Sequence, residues 1–247
     1  MKDIMPTQLL LTRFLNANFA APVDALLRAV HVQPTYPAAP ITDTFAMELL
    51  VFVVLMLYFL AVRLTLQVET PSTVQHFAEM SHEFVTEQSE AIIGHGFEPF
   101  ISFLTILGCF ILFCNLLGLI PGLKSPTADV VVPFGCALLT FGYYHLQGIR
   151  KHGWRYIKQF LGPAWWLSWL LLPIEIISHL ARLLSLTVRL YANIFAGDLV
   201  TLAFFSLIPV VLPLVFLGLH IMVSVVQAFL FMALAMSYLS LALADEH

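Results

Sequence analysis

The chain has 247 residues, of which 60% are hydrophobic and only 11% charged, whereas soluble domains carry roughly a quarter charged side chains. The mean hydropathy of +0.91 therefore excludes a water-soluble surface and indicates an integral membrane protein. A net charge of −4 gives no basic surface for nucleic acid, which excludes that class of partner.

The three cysteines lie in apolar runs without a neighbouring histidine cluster (Cys109, Cys114 and Cys136). Their odd number and their setting predict small buried side chains rather than a disulfide framework or a zinc site. We expect no cofactor and no metal.

Residues 1–44 are rich in proline, including Pro22, Pro34, Pro37 and Pro40, which predicts an irregular or partly helical arm outside the hydrocarbon. The apolar patch Leu9 to Leu11 is too short for a signal-peptide core, so we expect no cleaved leader. Residues 45–66 form the first predicted span, because about 20 apolar residues cross a bilayer core of ~30 Å. The membrane domain is expected to cover residues 45–247.

Residues 70–96 follow the pattern of an amphipathic helix, which lies on a membrane surface or against a partner. One face carries apolar side chains and the opposite face is largely acidic (His76, Glu79, Glu83, Glu87 and Glu90). The acidic face favours a protein partner over lipid headgroups.

Two further spans, residues 97–120 and 130–147, are joined by a short loop and so form an antiparallel hairpin. The next segment, residues 148–162, is basic and contains no acid (Arg150, Lys151, Arg155 and Lys158). The positive-inside rule places this loop in the cytoplasm. Counting spans from it puts the N-terminus outside and the C-terminus in the cytoplasm.

Residues 163–244 contain only four charged side chains (Glu175, Arg182, Arg189 and Asp198). We predict two helices here, at about 165–208 and 212–244. A helix over residues 174–208 would be ~50 Å long, so it fits a ~30 Å core only when steeply inclined. Two upright spans divided near Ser185 are the alternative. The fold class is an all-α polytopic membrane protein, with about five membrane-embedded helices and a surface amphipathic helix.

Three of these charged residues are spaced by seven and so share one helix face: Glu175, Arg182 and Arg189. Polar side chains lie on or beside that face (Ser178, His179, Ser185 and Asn193). An arginine inside a bilayer costs from ~2.5 to over 10 kcal/mol, so such groups pair with partners or line ion paths. Arg182 either pairs with Glu175 as a structural group or takes part in function.

Asp198 lies nine residues beyond Arg189 and on the other side of the helix. On the last helix His220, Ser224 and Gln227 form a second polar stripe, which an antiparallel hairpin would bring towards Asp198. A carboxylate facing an imidazole passes protons near neutral pH. Along the helix, Arg189 therefore separates two polar clusters, which is the layout of two half-paths with a fixed positive charge between them.

Four segments carry a resemblance to subunit a of the rotary F-type ATP synthase membrane sector. They are VRLYANIFAGDL (residues 188–199), HIMVSVVQAFLF (220–231), NLLGLIP (115–121) and SPTADVVV (125–132). The segments occur in family order, and the likeness extends from about Thr42 to the C-terminus.

The resemblance implies a role for each polar cluster. Arg189, with Asn193 beside it, would face the carboxylate of the rotating c-ring, while Asp198, His220 and Gln227 would line the outer half-channel. Glu175 and Ser178 would line the cytoplasmic half-channel. Many relatives carry Glu where this chain has Asp198, which shortens the reach of that carboxylate.

The resemblance also implies partners and a location. These are c-ring subunits, b-type peripheral stalk subunits, membrane lipid and a bacterial inner membrane. The expected function is that of a proton-conducting stator, with H⁺ favoured over Na⁺ because Asp198 lies opposite an imidazole. No GxxxxGK[ST] is present, so we expect no nucleotide chemistry in this chain. An ion-coupled secondary transporter that uses the same intramembrane charges is the alternative.

Overall fold

The computed structural model describes residues 8–29, 39–67, 73–120, 122–153, 156, 168–207 and 211–244. All regular secondary structure in these ranges is helical, which confirms the all-α class. The helices are α1 (Leu10–Ala29), α2 (Asp43–Leu64), α3 (Thr73–Ile93), α4 (Ile101–Leu117), α5 (Val131–His152), α6 (Ser168–Leu207) and α7 (Val211–Leu243).

Part of the predicted arm is helical, since α1 continues through Pro22. Asn16 of α1 bonds to the residue Ile41, just before α2. The Asn16 Nδ2 donates to the Ile41 carbonyl at 3.0 Å, and the Asn16 Oδ1 accepts from the Ile41 N–H at 3.1 Å. Thr42 caps α2, because its hydroxyl oxygen accepts from the N–H of Phe45. Most of the predicted basic loop, including Arg155 and Lys158, lies outside the described residues.

Among the described residues, four helical stretches are long and apolar enough to cross a bilayer (Asp43–Leu64, Glu98–Leu117, Trp169–Phe204 and Leu214–Leu243). Helix α5, predicted as a further span, has 22 residues but is not among the four. Its polar side chains explain the difference: Tyr144 is buried against His179 of α6. The chain is thus a multi-pass helical membrane protein.

Helices α6 and α7 have 40 and 33 residues, which corresponds to lengths of ~60 and ~50 Å at 1.5 Å per residue. Helix α6 continues without interruption through Ser185. The alternative of two upright spans divided at that residue is therefore not realised. Both helices exceed the ~30 Å hydrocarbon thickness, and their steep inclination stays a prediction.

The main hydrophobic core lies where α4, α5, α6 and α7 meet. Ile111, Leu190, Ile194 and Met236 are completely buried there. Helix α3 covers one side of this core through Val85, and its Phe84 ring lies 5.7 Å from that of Phe229. The core holds α6 and α7 side by side, so their polar stripes face each other and α5.

Candidate functional site

Arg189 lies on α6 between the two polar clusters and is half-buried within the chain. Its guanidinium Nη2 donates to the Ser185 hydroxyl at 3.2 Å. Within the described part of the chain it forms no ion pair, since Asp198 lies farther along α6 on another face. The geometry therefore presents a cation whose charge no carboxylate in the described ranges neutralises.

The structure does not support the pairing of Arg182 with Glu175. The Arg182 guanidinium carbon lies 5.5 Å from the centroid of the Tyr238 ring on α7, a cation–π distance. Glu175 instead contacts His179, which lies one turn farther along α6. The distance from Glu175 Oε1 to His179 Nε2 is 3.2 Å. No Arg182–Glu175 ion pair occurs among the residues with described positions.

Asp198 and His220 come together across the α6–α7 hairpin. The distance from Asp198 Oδ1 to His220 Nδ1 is 3.8 Å, which is longer than a direct hydrogen bond. His220 is only 6% exposed, and its Nε2 has no hydrogen-bond partner in the described structure. Gly197 makes room for the ring, because a Cβ added there would lie 3.0 Å from Nδ1.

A second contact joins the hairpin closer to Arg189. Asn193 Nδ2 donates to Gln227 Oε1 at 2.8 Å, and Gln227 is buried. Both are residues that the sequence predicted for the site. Because the amide of Gln227 cannot reach solvent, this bond fixes the relative position of α6 and α7 one turn beyond the arginine.

Residues of α4 and the loop after it support this region. The buried amide of Asn115 donates to the Ser224 carbonyl at 3.3 Å and accepts from the Thr127 hydroxyl at 2.7 Å. The hydroxyl oxygens of Thr127 and Ser125 are 2.7 Å apart. The sequence showed these residues only as parts of the segments NLLGLIP (115–121) and SPTADVVV (125–132), and gave no sign that Asn115 contacts α7.

Cavities lie at both ends of the polar part of α6. One of about 710 Å³ is lined by Asp198, Thr201 and His220, and by Lys124 and Ser125 of the loop after α4. A smaller one of about 260 Å³ continues along the hairpin to Asn193. The two cavities share Thr201 and His220 in their linings, and we call them together the outer cavity.

The second polar recess, of about 140 Å³, lies near the other end of α6, and we call it the inner cavity. Its lining includes six polar or aromatic side chains (Tyr144, Tyr156, Glu175, His179, Arg182 and Tyr238). Ser178, predicted beside Glu175, is half-buried and is not among the described lining residues. Arg189 follows the inner-cavity residues and precedes the outer-cavity residues along α6.

Sequence reasoning missed the aromatic hydroxyls and the second imidazole around the inner cavity. Tyr144 bonds to His179, while His145 Nδ1 lies 2.8 Å from the hydroxyl of Tyr156. The sequence signal was the polar group Tyr144-His145 inside an apolar run. That signal predicts that the two side chains face other helices rather than lipid. It does not predict that Glu175 lies near them.

A family model described as ATP synthase A chain matches residues 44–240. The ATP synthase subunit a of Koribacter versatilis is 53% identical over 244 residues, covering 98% of this chain and 100% of the relative. That of Solibacter usitatus is 41% identical, covering 94% and 99%. That of Geobacter sulfurreducens is 37% identical, covering 87% and 94%.

Proposed function

The chain belongs to the ATP synthase subunit a family, as a proton-translocating subunit of the membrane sector, and from this premise we propose which of its residues carry the protons. Membership implies partnership with the c-ring and the b subunits. The proposed topology has the N-terminus outside and the C-terminus in the cytoplasm, as the basic loop predicts.

Protons enter through the outer cavity in this proposal. Asp198 accepts a proton there, and the buried imidazole of His220 lies 3.8 Å from its carboxylate oxygen. Asn193 and Gln227 continue the polar path along the hairpin towards Arg189. A carboxylate on the c-ring that arrives at this end of the path takes the proton and carries it into the lipid phase.

Arg189 separates the two half-paths. Its guanidinium attracts an ionised ring carboxylate, because no carboxylate of the described chain neutralises it, and it repels a hydrated proton that would pass directly between the cavities. The observation that carries the proposal is the position of this cation on α6 between the residues that line the inner cavity and those that line the outer cavity.

Protons leave through the inner cavity. Glu175 accepts the proton that the ring carboxylate releases and passes it to the cytoplasm, with Ser178 beside the path. Each charge that crosses 100 mV supplies ~2.3 kcal/mol, so several protons support each ATP made elsewhere in the complex. The proposed coupling ion is H⁺, which predicts synthesis that does not depend on sodium.

Replacing Arg189 with alanine in the assembled enzyme tests the proposal. Proton-driven ATP synthesis in inverted membrane vesicles should be lost, because the ring carboxylate no longer meets a fixed positive charge. Arg63→Ala, in the last turn of α2, is the matched control and should retain synthesis. Normal synthesis by the Arg189 variant would refute the separator role, and solute uptake by the purified chain alone would support a secondary transporter instead.

A further inference from the structure

The inner cavity contains a hydrogen-bonded chain of three side chains that ends on Glu175. Resting on the proposed role of Glu175 as the proton exit, we propose that His179 and Tyr144 are positioning residues. They hold the Glu175 carboxylate towards the cavity and set the pH range over which it accepts protons.

Two distances define the chain. The hydroxyl oxygen of Tyr144 lies 2.9 Å from His179 Nδ1, and His179 Nε2 lies 3.2 Å from Glu175 Oε1. An ionised carboxylate only accepts hydrogen bonds, so Nε2 must carry the proton in this contact. In the neutral ring Nδ1 is then the acceptor, and the tyrosine hydroxyl donates to it. Tyr144 thus selects the tautomer that serves Glu175.

Tyr144 and His179 are buried and so held in place, whereas Glu175 is partly exposed to the cavity. Tyr144 is 2% exposed, while the side chain of His179 is 11% exposed and that of Glu175 41%. The Phe141 ring meets the imidazole edge-on at 6.3 Å, and the His145 ring lies 4.8 Å from it. A packed imidazole therefore orients a carboxylate that stays accessible from the cavity.

The proton balance is simple. A proton released by the ring carboxylate reaches the Glu175 oxygen, an O–H bond forms, and the same bond breaks when the proton passes to the cytoplasm. The N–H of His179 keeps its proton throughout. Because that N–H bonds more strongly to the carboxylate than to the carboxylic acid, its removal should change the pH profile of transport.

Other charged or titratable groups surround this chain in the described structure. They come from α5 (His145), from the segment after α5 (Tyr156), from α6 (Arg182) and from α7 (Tyr238). All four groups remain in variants of Tyr144 or His179, so a change in pH profile reports the hydrogen-bonded chain itself.

The test uses the assembled enzyme in inverted vesicles, whose cytoplasmic face contacts the buffer. ATP synthesis driven by an imposed membrane potential is measured between about pH 4.5 and pH 8, a window that begins near the range where glutamate titrates. Tyr144→Phe and His179→Leu should move the acidic limb of the profile upward by roughly half to one pH unit. His179→Gln keeps an N–H donor at similar reach and should restore the wild-type profile.

Tyr143→Phe is the matched control, because it removes the same hydroxyl from a neighbouring residue whose ring stacks on Phe103. It should show the wild-type profile. Glu175→Gln separates the proposed exit role of Glu175 from the positioning role of Tyr144 and His179. Normal synthesis by Glu175→Gln would refute the proposed exit. Impaired synthesis by that variant, with wild-type profiles for Tyr144→Phe and His179→Leu, would overturn only the positioning role. A shift shared by Tyr143→Phe would also overturn it.

Discussion

Gly197→Ala should disable the outer cavity without removing a polar group. Gly197 lies on α6 directly against the imidazole of His220. An alanine Cβ would lie 3.0 Å from Nδ1 and 3.2 Å from Cε1 of that ring. Both distances are shorter than ordinary van der Waals contact, so the ring, which is 6% exposed, has to shift.

The size of the effect follows from the direction of that shift. Restoring an ordinary contact requires the ring to move by a few tenths of an ångström, and overpacking of this kind costs about 1–3 kcal/mol. Nδ1 is the atom that faces Asp198 at 3.8 Å, so relief of the clash moves it off the proposed proton path. If the ring can return to its productive position only at the same free-energy cost of about 1–3 kcal/mol, transport slows by about 5- to 150-fold.

The assay is ATP-driven proton pumping by the assembled enzyme in inverted vesicles, normalised to the amount of complex. Gly142→Ala on α5, where an added Cβ meets no atom within 4 Å, is the control and should pump normally. Wild-type pumping by Gly197→Ala, at an equal amount of assembled complex, would show that the position of the imidazole does not limit proton uptake.

Two further substitutions test the same region. Asp198→Glu adds one methylene and closes the 3.8 Å gap to the imidazole, so pumping should stay within about twofold of wild type; a complete loss would show that a longer side chain does not fit the cavity. Asn115→Leu keeps the volume but removes two hydrogen bonds, the one to the Ser224 carbonyl and the one from the Thr127 hydroxyl, which keeps only its contact with Ser125. It should destabilise the fold by about 1–3 kcal/mol, seen as a lower midpoint of thermal unfolding in detergent, and an unchanged midpoint would contradict this account.

Much of the architecture follows from hydropathy and helical periodicity. Apolar run lengths predicted α2, α4, α6 and α7, and the lack of a polar loop near Ser185 predicted an uninterrupted α6. Helical spacing also placed His220, Ser224 and Gln227 on one stripe. An antiparallel hairpin then brings that stripe near Asp198, because two consecutive helices separated by only a few residues have few alternative arrangements.

Contacts between helices that are distant in sequence needed the tertiary structure. Spacing put Arg182 and Glu175 on one face and suggested an ion pair, whereas Tyr238 of α7 lies against Arg182 and His179 lies against Glu175. Periodicity determines which side chains share a face of one helix. It does not determine how far that helix is rotated or shifted against its neighbours.

The sequence by itself thus determined the all-α membrane class, the helix lengths and the polar faces of α6 and α7. Only the packed core decided which atoms meet across those faces. The contact of Tyr144 with His179 and the room that Gly197 leaves for His220 depend on helix rotation and axial shift. Both are set by many van der Waals contacts at once, so no local motif encodes them.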